Sequence, residues 1–267
     1  MSFSMPNAAR QLIVEQFLVK KNPAFNCATE YTKEGAQKSK MFALVADGES
    51  PLQAIERVAS GQVKNVVQNS YWPMQEKMSA LFSLAKEPML FLIEDFYVLD
   101  GAAKFEFAFN TRTYINRFIE DIFSDIGIDI NSSRAIPVRQ TIEELVINAQ
   151  HDAPVNSKAE PNSVGDSMLI IEKSEKLLAI SVFDEYGTLN IETFLKKIEK
   201  SLKIGAGEAI NFGQGGAGLG GSLIYQNCDT LMLSCNPARK TRVTAVLPYN
   251  MNEDKLSYIQ KSILVLA

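Results

Sequence analysis

Residues 139–154 constrain the fold most, because they read as one helix with two distinct faces. Val138, Ile142, Leu145, Val146 and Ala149 recur at helical spacing and form an apolar stripe. Glu144 and Asn148 stand one turn apart and share a second face beside that stripe. Pro154 is expected to end the helix. A carboxylate and a carboxamide aligned in this way can hold a water and a hydrated metal ion. Equally, Glu and Asn at this spacing are common on the solvated face of an ordinary helix.

A chain of 267 residues can bury one large core or two modest ones. Apolar residues make up 46% and charged residues 22%, the balance of a soluble globular protein, so disordered and fibrous classes drop out. A net charge of −4 argues against bulk binding of nucleic acid or of anionic membranes. Cys27, Cys228 and Cys235 have no C-x-x-C spacing, and reduced thiols in a cytoplasmic protein are expected. The first residues lack a basic start and their apolar run is broken by Glu15, unlike a signal peptide. The most apolar window, residues 88–99, is cut by Glu94 and Asp95, so any tie to a membrane is expected through a partner.

Along the chain, residues 7–19 carry helical spacing, 24–28 and 40–46 are short candidate strands, and 50–59 read as a helix opened by Ser50-Pro51. An apolar run at 63–67 precedes an amphipathic helix at 74–85, whose buried face is expected to carry Met78, Leu81, Phe82, Leu84 and Ala85. Trp72 is expected in a core. Residues 104–109 alternate strictly as a half-buried strand, and 111–127 form a helix ended by Gly127. After the helix at 139–154, residues 153–167 are a loop, and strands at 168–173 and 177–184 are joined by a charged turn. A helix at 191–202, a glycine-rich loop at 203–217, a short helix at 219–227 and strands at 230–235 and 242–248 complete the order. The class is α+β: a two-layer sandwich with a mixed sheet and helices on one face over residues 101–267, preceded by a smaller α/β module over 1–100.

Two further segments carry chemistry. In residues 182–189 a strand ends in Asp184, with Gly187 in the turn behind it. A buried carboxylate there accepts but cannot donate, which suits an exocyclic amine such as that of adenine. The glycine would let a flat base approach the backbone. The alternative is a plain Asp-turn, with Asp184 bonding its own backbone. Residues 213–220, Gly-Gln-Gly-Gly-Ala-Gly-Leu-Gly, run into a short helix. Their free N–H groups and the helix N-terminus suit an anion, and a surface loop that binds nothing is the alternative. Gly213, Gly215 and Gly218 formally spell G-x-G-x-x-G, but a polar loop rather than a strand precedes them and no acid follows at the required distance. No Gly-Lys-Ser/Thr phosphate loop occurs.

The ordered set resembles the GHKL ATPase superfamily, which includes gyrase, a heat-shock chaperone, histidine kinases and mismatch-repair ATPases. Glu144-Leu-Val-Ile-Asn148-Ala149 is similar to the N box, Asp184–Gly187 to the first glycine box, and Gly216-Ala-Gly-Leu-Gly220 to the second. Residues 241–248 resemble the closing strand. The strand at 105–109 and the paired helices before the N box look most like the anti-sigma-factor kinase branch. Glu144 to Pro154 resembles a bacterial signalling group marked by Glu-Leu, Asn-Ala and Asp-Ala-Pro. The resemblance spans roughly the last two-thirds of the chain and implies the Bergerat ATP-binding fold, with ATP and Mg²⁺ as cofactors.

Residue by residue, it implies Asn148 as the Mg²⁺ ligand and Glu144 as the catalytic residue that orients or activates the attacking group. It makes Asp184 the reader of adenine, with Thr241 behind it. Asp152, Gly187, Gly215, Gly216, Ala217, Gly218, Leu219 and Gly220 complete the implied nucleotide site. Where the family has Asp-x-Gly-x-Gly, this chain has a single glycine three residues after Asp184.

His151, the only histidine, lies on the N-box helix itself, unlike the phosphoacceptor of an autophosphorylating sensor kinase, a class that drops out. Arg239, Lys240 and Arg242 are expected to be a solvated basic turn. Residues 1–100 are expected to be a sensory or docking module, resembling a degenerate receiver with Asp47 and Glu49 but no convincing downstream phosphoacceptor aspartate. The function implied is a cytoplasmic Mg-ATP-binding signalling protein with a regulatory protein partner, a homodimer being one arrangement. It would act as an ATPase or a serine/threonine kinase, or as a non-catalytic nucleotide switch, or survive as a relic that no longer binds ATP.

Overall fold

The computed structural model describes residues 43–46, 48–86, 88–154, 167–204, 220–237 and 239–266. The expected helix at 7–19, the strand at 24–28, Cys27 and residues 205–219 of the glycine-rich stretch lie outside these residues, whereas Lys203 and Ile204, expected in that loop, end a helix instead.

Strand β1 (Ala43–Ala46) leads into α1 (Pro51–Ala59). Ser50 opens that helix through a capping box: its Oγ accepts from Gln53 N at 3.2 Å, and Gln53 Oε1 accepts from Ser50 N at 2.9 Å. Next come β2 (Asn65–Gln68), α2 (Met74–Lys86), a 3₁₀ turn (Pro88–Leu92) and β3 (Ala103–Phe109). Helix α3 (Ile115–Ile126) ends at Gly127, whose φ of 63° only glycine adopts at little cost. Helix α4 (Ala135–Ile147) passes directly into a π-helical turn, Asn148–Asp152. The remainder is β4 (Ser167–Lys173), β5 (Leu177–Asp184), α5 (Ile191–Ile204), α6 (Gly220–Asn227), β6 (Thr230–Asn236), β7 (Lys240–Pro248), α7 (Glu253–Ser257) and β8 (Ser262–Val265).

Among the described residues, the eight strands form one mixed sheet in the order β1-β2-β8-β6-β7-β5-β4-β3. From β3 to β6 every pairing is antiparallel; β8 runs parallel to β6 and antiparallel to β2. The α+β class and the mixed sheet are as expected from the sequence. Strand β8 and helix α7 were not, and β8 is the strand that joins the two sides. Through it, strands from both sides of residue 100 share one sheet.

Side-chain alternation divides the sheet into two buried faces. Leu178, Ile180 and Val182 of β5 join Leu231 and Leu233 of β6 under helices α1, α3, α4, α5 and α6. On the other face Leu177, Ala179, Met232, Val246 and Leu264 pack with Trp72, Leu81, Leu84 and Phe91 of the segment around α2. The main helical layer is thus on one face, and residues from 67 to 99 cover the second.

That second face also holds buried charge. Lys77 Nζ lies 2.6 Å from Asp229 Oδ1, both side chains at 0% exposure, and also donates to the carbonyl of Gln68 at 3.0 Å. Arg242 was expected in a solvated turn and is instead wholly buried. Its guanidinium lies between the rings of Phe91 and Phe183, with centroids at 4.4 and 4.6 Å. Nη1 donates to the carbonyl of Phe91 at 2.9 Å, and Nη2 sits 3.7 Å from Glu172 Oε1. Strand alternation gives the reason: Thr241 and Val243 occupy the helical face, so Arg242 must point to the other, where residues 91–99 enclose it. Burial lowers its pKa to about 10, with Glu172 opposing, which leaves it charged at neutral pH.

Candidate functional site

Three stretches meet on the helical face, at the end of β5. The first is the second half of α4 with its π turn. Asn148 N donates to the Glu144 carbonyl, so these two residues keep the expected one-turn spacing. Beyond Asn148 the bonding widens, and Ala153 N donates back to the Asn148 carbonyl. Helical backbone then runs to Pro154, where the described stretch ends. Ala149 and Gln150 are buried, whereas His151 and Asp152 are exposed.

The second stretch is the turn after β5. Asp184, only 7% exposed, accepts through Oδ1 from Tyr186 N at 3.0 Å and Gly187 N at 3.2 Å. Gly187 holds a φ of 59°, which explains the glycine at this position. Thr241 is the register partner of Asp184 across β5 and β7, and Cys235 is that of Thr241 across β6 and β7. The three therefore form a row on one face of adjacent strands. Burial holds the Asp184 carboxyl above its ordinary range, against the turn's two N–H groups and the Thr241 hydroxyl.

The third is the N-terminus of α6. A Cβ added to Gly220 would overlap the carboxylate of Glu144, so that carboxylate lies directly against the glycine's α-carbon. Next along, a Cβ on Gly221 would come 2.9 Å from the Phe194 ring and 3.3 Å from Ile198, which packs α6 against α5. A further link closes the group: the Thr188 hydroxyl donates to the Ala153 carbonyl at 3.3 Å, tying the Asp184 turn to the π turn.

Of the residues singled out in the sequence, Glu144, Asn148, Asp152, Asp184, Gly187, Gly220 and Thr241 belong to these linked stretches. Gly215, Gly216, Ala217, Gly218 and Leu219 lie outside the described residues. Burial, then the neighbouring charges of Glu143 and Asp152, raise the pKa of Glu144. A carboxylate held in this way is suited to accepting a proton from a water or a hydroxyl. Among the described residues no group of three or more His, Cys, Asp or Glu side chains could hold a metal by itself. A magnesium ion seldom needs one, since phosphates and waters fill most of its positions, and the Asn148 amide oxygen is a donor of the right hardness.

Sequence reading did not find the π turn, the Thr188–Ala153 link, or Cys235 beside Thr241. The last was recoverable from strand pairing; nothing local signals the first two. Among the described residues no helix is long and apolar enough to cross a membrane. Compared with protein-family models the chain matches none, and no curated protein matches it.

Proposed function

We propose that the chain binds Mg-ATP where these three stretches meet, in the manner of GHKL signalling ATPases, and regulates a protein partner in the cytoplasm. What supports this best is that Glu144 and Gly220, 76 positions apart in sequence, touch at the N-terminus of α6. Asp184 and Thr241 pair on the same face, and Thr188 joins their turn to the helix that carries Asn148. In this reading Asp184 accepts the adenine amine, with Thr241 behind it. Asn148 would hold Mg²⁺, and the ion would supply positive charge for the phosphates next to Glu143, Glu144 and Asp152. The first turn of α6 faces the phosphates. Glu144, raised in pKa, takes the proton of the attacking group, either water or a serine or threonine hydroxyl. The mixed sheet with its helical layer is compatible with the Bergerat fold, which forms part of the proposal.

A second reading, binding and switching without transfer, is favoured by the turn after β5. Asp184 Oδ1 is already committed to two N–H groups of its own turn, and only one glycine relaxes the backbone there. Calorimetry and thermal shift with Mg-ATP and Mg-ADP test both readings together. Binding that Asp184→Asn removes supports the site, and the lack of any Mg-ATP-dependent rise in melting temperature sinks it. Label transfer to a partner that Glu144→Ala abolishes separates the kinase from the switch.

A further inference from the structure

We propose that the outer side of residues 88–99 docks a protein partner through a basic amphipathic helix. The proposal goes beyond the nucleotide site and stands without it. This segment crosses the second face of the sheet from β6 to β3 and is pinned along its way. Asn236 of β6 reaches Met89, with Nδ2 3.9 Å from Sδ, and Lys240 of β7 donates to Glu94 at 2.8 Å. The rings of Phe91 and Phe96 lie against the Arg242 guanidinium. Glu172 of β4 accepts from Val98 N and Leu99 N, and Lys104 of β3 sits over the Tyr97 ring.

With the inward side chains engaged in this way, three large apolar ones are left outside. Met89, Ile93 and Tyr97 are 56, 46 and 47% exposed. Among the described residues the other exposed large apolar side chains, Tyr71, Tyr114, Ile136 and Tyr258, are scattered singly along the chain. An apolar row on a fixed support, rimmed by charge, is the pattern of a protein-binding surface.

The rim decides the sign of the partner. Glu94, Asp95, Glu106 and Glu185 expose 44, 97, 50 and 54% of their side chains, whereas Lys104 and Lys240, which pair with them, expose 10 and 21%. The carboxylates face water and the ammonium groups are drawn in beneath them, so an approaching surface meets net negative charge. A second copy docked by two-fold symmetry would set this rim against itself, and an anionic membrane or a nucleic acid would be repelled. Lysine or arginine flanking an apolar stripe complements both features. The width fits too: β6 and β3 stand four strand spacings apart, at least about 19 Å, which three to four helical turns span.

The probe is a fluorescein-labelled helical peptide of leucine and lysine, about 18 residues long, with its leucines at helical spacing. Anisotropy titration into the whole chain without nucleotide, at about 0.1 M salt, should show saturable binding. The same peptide with glutamate for lysine should bind at least about tenfold more weakly. Met89→Ser, Ile93→Ser and Asp95→Lys should each weaken binding about fivefold or more. Asp121→Lys, an equal change of charge at an exposed position of α3 on the helical face, should leave affinity within about twofold. Bound peptide should also slow amide exchange in residues 88–99. If a serine variant does not fold, Asp95→Lys still decides, since that side chain is almost wholly exposed. Equal loss in Asp95→Lys and Asp121→Lys shows general attraction to an acidic chain and overturns the proposal, as does no binding at about 1 mM. A dimer that Ile93→Ser dissociates, or phosphatidylcholine vesicles that bind the unaltered chain but not Ile93→Ser, gives the surface another occupant and overturns it as well.

Discussion

The carboxylate of Glu144 rests against the α-carbon of Gly220, while the neighbouring Gly221 faces an aromatic ring instead. The two glycines should therefore respond differently to one added methyl group. In Gly220→Ala the obstacle is the mobile end of a glutamate, so the fold should keep its stability while the carboxylate moves. In Gly221→Ala the obstacle is the Phe194 ring packed on Ile198, and about 1–3 kcal/mol of stability should be lost. Denaturant titration of the two variants checks this, and equal stability would show that α6 is not packed as described.

Asp184 gives a pH dependence of definite sign. Its folded pKa is raised from 3.8, chiefly by burial, so the native state binds more protons than the unfolded chain between 3.8 and the folded value. Stability is therefore lost as pH rises through that window, and the penalty is fully present at neutral pH. Asp184→Asn keeps an oxygen to accept from Tyr186 and Gly187 but carries no charge. It should melt higher than the unaltered chain at pH 7, with the difference shrinking as the pH falls toward 3.8. Melting curves across pH check this; a variant that is less stable at neutral pH contradicts it.

Lys77 and Asp229 form a fully buried pair, and Asp229 also accepts from Trp72 N at 3.0 Å. Lys77→Met should cost about 3–5 kcal/mol, because it leaves a buried carboxylate without its counter-charge. Adding Asp229→Asn should recover part of that loss. A double-mutant cycle by chemical denaturation measures the coupling, and additive effects would mean that the two groups do not act as a pair.

Cutting the chain near residue 100 should expose the second face of the sheet. Leu177, Ala179, Met232, Val246 and Leu264 lose Trp72, Leu81, Leu84 and Phe91 as neighbours. Glu172 also loses the Val98 and Leu99 N–H groups it accepts from at 2.7 Å each. A fragment of residues 101–267 is expected to bind an apolar dye and to lack a sharp melting transition. A fragment that melts cooperatively would show that the helical layer alone supports the sheet.

Period and punctuation made most of this fold legible. Ser50-Pro51 marked the start of α1, Gly127 the end of α3, and alternation in 104–109 placed β3 with its phenylalanines turned inward. Two kinds of feature escaped. Strand β8 is four residues long and carries no alternation or turn signal, yet its position between β2 and β6 decides whether residues before 100 stand apart. Arg242 sits in a run of basic residues, and only its place on a strand, facing away from Thr241, sends it inward. At the candidate site Glu144, Asn148 and Asp184 were singled out by type and spacing, and the one-turn spacing of the first two and the turn after Asp184 are as the sequence led one to expect. The π turn was not, because a change from i+4 to i+5 bonding is set by neighbours such as Thr188 and the carbonyls of Asn110 and Thr113, which accept from Gln150 Nε2, not by its own residues.

The place of β8 also orders events in time. Gln68 N donates to Ser262 Oγ across 194 positions, so β1 and β2 are made long before the strand that attaches them to the remainder. While a ribosome is still extending the chain, that early pair has no edge to dock on. It must wait, shielded or exposed, until residues 262–265 arrive.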